Sequence, residues 1–135
     1  MTLYVSLVVF AADENSQIGK YVLLRSYADQ KYDIISVPFY DKTVNSMKII
    51  EDLMENLLGI TGRWNSAIPK LVGILDEPDY KTEGGDRRID LVYVLYLMGK
   101  NSVRDTVQWI PIDKLNDLNI SDMNKGIIRY AATNI

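Results

Sequence analysis

The chain has 135 residues, 47% apolar and 24% charged, with a net charge of −3, which fits one domain (1–135) built around one core. It contains neither cysteine nor histidine, which excludes disulfides, zinc-finger sites, thiol nucleophiles and imidazole acid–base chemistry. Its basic residues are scattered apart from Arg87-Arg88, so it lacks the clustered cations that nucleic-acid phosphates require.

The chain opens on an apolar, β-branched run over residues 3–11 that has no basic flank and soon reaches Asp13-Glu14. This reads as a buried strand, not a signal peptide. No stretch approaches the ~20 apolar residues that would span a bilayer. A soluble, cytoplasmic protein with no membrane partner is expected. Asp13 to Gln17 forms a polar turn closed by Gly19, and Lys20 to Ser26 makes a second strand, giving a hairpin. Ile34 to Val37 is a short third strand that Pro38 ends, since proline cannot donate to a ladder.

The period then changes. Met47, Ile50, Met54 and Leu57 recur at spacings of three and four, with Leu53 and Leu58 widening the stripe, while Lys48, Glu51, Asp52, Glu55 and Asn56 hold the other face. Asn45 is the expected N-cap, and Gly59 stands where a helix takes its left-handed terminal residue. Strands resume over Lys70–Leu75 and Ile89–Leu97. The polar loop between them, Asp76 to Arg88, is of a length associated with function or mobility. Val107 to Ile110 is a last strand ending at Pro111, Asp113 to Leu115 starts a helical turn, and Ser121 to Thr133 is a closing helix capped by Ser121. The order β-β-β-α-β-β-β-α implies an α/β (α+β) domain with a mixed sheet and helices on both faces.

Several features in this order resemble the Nudix superfamily across nearly the whole chain. They are the strand Tyr21-Val22-Leu23-Leu24-Arg25, the strand ending in Pro38, and the amphipathic helix leaving through Gly59-Ile60. To these add Asp76-Glu77-Pro78-Asp79, the strand from Arg88 to Tyr93, and the tryptophan-bearing stretch Gln108 to Leu115. The resemblance implies a Nudix-type mixed sheet flanked by helices. The family's motif, G-x5-E-x7-R-E-U-x-E-E-x-G-U with U a bulky aliphatic, aims several carboxylates at Mg²⁺ ions that neutralise a diphosphate and activate water.

That motif is degenerate here. The usual Pro-Gly-Gly opening is Pro38-Phe39-Tyr40, and the upstream glutamate has no match in Asp41 to Asn45. Aligned from Gly59 without a gap, the arginine and three glutamates fall on Asp52, Leu53, Asn56 and Leu57. With one extra residue before Gly59 they fall on Glu51, Asp52, Glu55 and Asn56, and Leu53 keeps the aliphatic position. The second register is preferred, and it makes Asp52 and Glu55 the metal candidates, with Glu51 beside them. The plain alternative for this acidic face is a solvated helix surface on which Lys48 pairs with Glu51 or Asp52.

Arg25, at the end of a strand, and Glu77, Glu83 and Arg87, in the long loop, are the candidate ligand-binding residues; Glu77 or Glu83 would also serve as a substitute carboxylate. Two functions follow from the resemblance. One is a non-hydrolytic domain that binds a nucleotide, a nucleoside-diphosphate derivative or a protein partner. The other is a divergent Mg²⁺-dependent hydrolase of a nucleoside diphosphate linked to a further group, such as ADP-ribose. The first is favoured, because losing several ligand charges costs orders of magnitude in rate. A homodimer is expected by the same resemblance.

Overall fold

Side-chain alternation along the two longest strands decides how the core divides. The computed structural model describes residues 2–13, 20–39, 45–59, 68–76, 87–100 and 102–133. In chain order the elements are β1 (Thr2–Ala11), β2 (Tyr21–Ser26), β3 (Tyr32–Asp33), β4 (Ile35–Pro38), α1 (Ser46–Leu58), β5 (Lys70–Leu75), β6 (Arg88–Leu97), β7 (Val107–Pro111), a 3-10 turn (Ile112–Asp117) and α2 (Asp122–Thr133).

β1 and β6 run parallel at the centre, in register from Thr2 beside Arg88 to Ala11 beside Leu97. Their odd-numbered residues, among them Val5, Leu7, Val9, Tyr93 and Leu95, meet Ile50, Met54 and Leu57 of α1. Their even-numbered residues Val8, Phe10, Val92 and Val94 meet Ile127, Ile128 and Ala131 of α2. A strand presents alternate residues to opposite faces, so each strand feeds both cores. The expected mixed sheet with a helix on either face is present. β1 pairs antiparallel with β4 along its first half and with β2 at Phe10 and Ala11; β7 lies along β2, and β5 lies along β6 at the far edge.

Local chemistry sets the helix ends. The Asn45 side chain accepts the Lys48 backbone N–H at 2.9 Å. Gly59 has φ 65° and donates to the Glu55 carbonyl at 3.1 Å, so both ends of α1 fall where the sequence places them. Ser121 Oγ likewise accepts the Asn124 N–H at 3.2 Å and starts α2. The two-residue strand β3 has no pattern of its own in the sequence; its pairing comes from Arg25 and Ser26 of β2. A bulge separates Leu71 from Gly73 in β5. A side chain at Gly73 would collide with the Tyr130 phenol, so the missing Cβ makes room for that ring against β5. No helix among the described residues is long and apolar enough to cross a membrane.

Among the described residues one buried side-chain polar atom is left over. Tyr96 stacks on Phe10 with ring centroids 5.4 Å apart, and its hydroxyl is buried without a hydrogen-bond partner. Burial raises its pKa above a phenol's ordinary value. A raised pKa means the fold prefers the neutral phenol, so stability is complete below the unfolded pKa, about 10, and declines as pH rises past it. Tyr96→Phe is expected to stabilise the chain by about 1 kcal/mol at neutral pH and to flatten part of its alkaline decline. Urea unfolding of both forms at pH 7 and above pH 10 checks this, and a less stable Tyr96→Phe would contradict it.

Candidate functional site

The charged face of α1 is where helical spacing gathers the carboxylates. Glu51, Asp52 and Glu55 are all exposed. Asp52 accepts an ion pair from Lys48 one turn earlier, 3.1 Å away. That hydrogen bond and the charge of Asp52 hold the Lys48 ammonium above its ordinary pKa, with smaller contributions from Glu51 and Glu55. One of the two pairings expected of a solvated helix face is therefore made. Among the described residues, no three acidic side chains come together as a cation site. Mg²⁺ is usually held by one or two carboxylates, with water and substrate phosphate completing its octahedral shell, so Asp52 and Glu55 would supply part of that shell.

The other candidates sit apart from this face. Arg25 lies half-buried on β2, between Asp33 of β3 and Val107 of β7 in the ladder. Arg87 is exposed just before β6 and grips Asp76 with two hydrogen bonds of 2.9 Å, so its guanidinium clasps the base of the β5–β6 connection. Glu77 and Glu83 lie outside the described residues.

Two polar arrangements were not anticipated from the sequence. Ser46 Oγ and the buried Tyr93 hydroxyl are 2.5 Å apart, tying the first turn of α1 to the middle of β6. On the α2 side of the sheet, the fully buried Asp90 accepts Arg88 Nε at 2.7 Å, Arg88 Nη2 at 3.0 Å and Ser6 Oγ at 2.6 Å. Arg88 Nη2 also reaches Ser36 Oγ at 3.2 Å, and its guanidinium lies 3.9 Å from the Tyr4 ring centroid. β1, β4 and β6 thus meet at one buried ion pair. Its sequence signal is the i, i+2 spacing of Arg88 and Asp90 in a strand, matched by Tyr4 and Ser6 on the parallel neighbour. At the far end of α1 a cleft of about 240 Å³ is lined by Leu58, Gly59, Ser102, Val103 and Arg104. Arg104 donates its backbone N–H to the Leu57 carbonyl at 3.0 Å and Nε to the Asn56 carbonyl at 3.3 Å, placing a cation at the negative end of the helix.

Neither a protein-family model nor a curated protein matches the sequence. Solved structures do. The Nudix domain of Shewanella oneidensis NrtR, complexed with ADP ribose, superposes with a TM-score of 0.71 at 14% identity, over 97% of this chain and 86% of that one. The dihydroneopterin triphosphate pyrophosphohydrolase of E. coli gives 0.72 at 13% identity, over 98% and 96%. The C-terminal domain of mouse MUTYH, in complex with human PCNA, gives 0.73 at 14%, over 98% and 88%.

The chain has the Nudix fold.

In this Nudix-fold chain α1 is the helix onto which the sequence resemblance lays the catalytic motif. Two of the three glutamate positions of the ungapped register are Leu53 and Leu57, 8% and 7% exposed and packed into the core beneath α1; the third is the exposed Asn56. In the gapped register the same positions are Asp52, Glu55 and Asn56, all facing solvent. Each register offers at most two carboxylates, and one of these two is already held by Lys48.

Proposed function

We propose that this Nudix-fold chain binds a nucleotide or nucleoside-diphosphate derivative without hydrolysing it efficiently. The observation that carries the reading is how α1 is used. Its inward face packs leucine and methionine side chains into the core, and its carboxylates stand in solvent with Asp52 taken up by Lys48. A hydrolytic Nudix helix needs carboxylates converging on metal ions, and among the described residues no three such donors come together. The ADP ribose complex of the NrtR Nudix domain supports the ligand class.

The alternative is a divergent Mg²⁺-dependent pyrophosphohydrolase, favoured by the likeness to the E. coli enzyme and by Glu51 and Glu55 lying one turn apart. Carboxylates beyond the described residues, such as Glu77 or Glu83, would then complete the metal site. A protein partner in place of a nucleotide is supported by the MUTYH domain's complex with PCNA. The readings separate at α1. Under the proposed function, Asp52→Asn combined with Glu55→Gln changes ADP-ribose affinity by no more than about 0.5 kcal/mol, as expected for solvent-facing positions. Calorimetric titration checks this, and an affinity that collapses together with its Mg²⁺ dependence would contradict it.

A further inference from the structure

The cleft at the carboxyl end of α1 combines apolar and cationic chemistry. Leu58 is buried and Val103 half-buried, and both pack on the core beneath α1, so they give the cleft a fixed apolar wall. Gly59, Ser102 and Arg104 line it as exposed residues. A Cβ at Gly59 would meet nothing within 4 Å, so the cleft is open on that side. At about 240 Å³ it is smaller than the ~300–1,000 Å³ of a site that engulfs a whole drug-sized ligand. It fits one portion of a nucleotide, with the remainder outside.

Arg104 decides which portion. Arg87 and Arg88 are committed to the carboxylates of Asp76 and Asp90, whereas Arg104 is anchored on backbone carbonyls. Its own N–H donates to the Leu57 carbonyl at 3.0 Å and its Nε to the Asn56 carbonyl at 3.3 Å. The Nε bond uses one of the guanidinium's several N–H donors. A guanidinium fork grips phosphate through two parallel bonds, and a side chain already anchored loses less freedom in doing so. A bare anion here would meet the negative end of α1, with Glu55 one turn before Gly59 and Asp105 next to Arg104, so its hold depends on Arg104. Given the nucleotide-binding reading, on which this rests, we propose that Arg104 binds the diphosphate of the nucleotide in this cleft. The chain thereby supplies the positive charge that Mg²⁺ supplies in a hydrolytic site. A guanidinium neutralises phosphate but stays protonated and cannot act as a base, so the ligand is held and left intact.

Calorimetric titration of the full chain with ADP-ribose in metal-free buffer tests this, with the amide chemical shifts of isotope-labelled protein followed in parallel. The wild type is expected to bind, with shifts moving at Leu58, Gly59 and Ser102 to Arg104 and not at Glu51 and Asp52. Arg104→Gln should lose about ten- to a hundredfold in affinity, the range for hydrogen bonds to a charged group. Arg104→Lys, which keeps the charge without the fork, should fall between the two. Ser102→Phe leaves Arg104 in place and fills the exposed cleft, so it should weaken binding while keeping wild-type circular dichroism. Adenosine, which has no phosphate, should not distinguish the wild type from Arg104→Gln. A wild type that binds ADP-ribose while folded Arg104→Gln and Ser102→Phe bind it equally well would overturn the assignment of the cleft and leave the nucleotide-binding reading standing. A wild type that binds neither ADP-ribose nor any other nucleotide would overturn both.

Discussion

Replacing Asp90 with alanine is expected to destabilise the chain by about 3–5 kcal/mol, because it strands the Arg88 guanidinium in the interior without a counter-charge. Asp90 is fully buried and Arg88 nearly so. The carboxylate accepts three hydrogen bonds, two of them from Arg88. Ser6→Ala removes one neutral donor to a charged acceptor and should cost less, about 1.5–3 kcal/mol. Replacing the pair together, Arg88→Met with Asp90→Leu, should come close to neutral, since well-packed apolar groups often match a buried ion pair in stability. Urea unfolding of the four proteins measures this. An Asp90→Ala variant within about 0.5 kcal/mol of wild type, the range of plain surface changes, would show that the pair does not hold β1, β4 and β6 together.

The second large effect concerns the helix. Leu57→Glu places a glutamate where the ungapped motif wants one, and it is expected to cost on the order of 3–5 kcal/mol, as an unpaired charge buried in the core does. Leu57 packs with Met54, Leu53 and Tyr93 beneath α1. Leu53→Glu should behave alike, whereas Glu55→Ala on the opposite face should move stability by no more than about 0.5 kcal/mol. The same unfolding experiment decides it. A Leu57→Glu variant that is stable and gains Mg²⁺ affinity would contradict this account of α1, because it would mean that the inward positions remain available to metal.

Where a rule acts locally, the sequence was informative. The stripe from Met47 to Leu58 with Asn45 and Gly59 at its ends defined α1, and the Ser121 cap defined the start of α2, since caps and helical periodicity depend on near neighbours. The strands of the central sheet were legible from β-branched runs for the same reason. β3 was not, because Tyr32-Asp33 owes its conformation to β2. The buried cluster of Tyr4, Ser6, Ser36, Arg88 and Asp90 was missed because it joins three strands distant in sequence, and only the parallel register of β1 with β6 brings it together. The candidate site was partly legible. Spacing put Glu51, Asp52 and Glu55 together on the exposed face of α1 and gave the Lys48–Asp52 pair as one of two partners. Which register matters chemically depends on the inward or outward direction of each side chain, and spacing alone leaves that open when two registers differ by one residue.

The most direct test of the central claim is calorimetric titration of the purified chain with ADP-ribose and a small nucleotide panel, with and without Mg²⁺, with reaction products assayed in the same samples. The account predicts binding that does not need Mg²⁺ and leaves the ligand intact. Mg²⁺-dependent turnover that Glu55→Gln or Asp52→Asn abolishes would contradict it, and would establish α1 as a working catalytic helix in the gapped register.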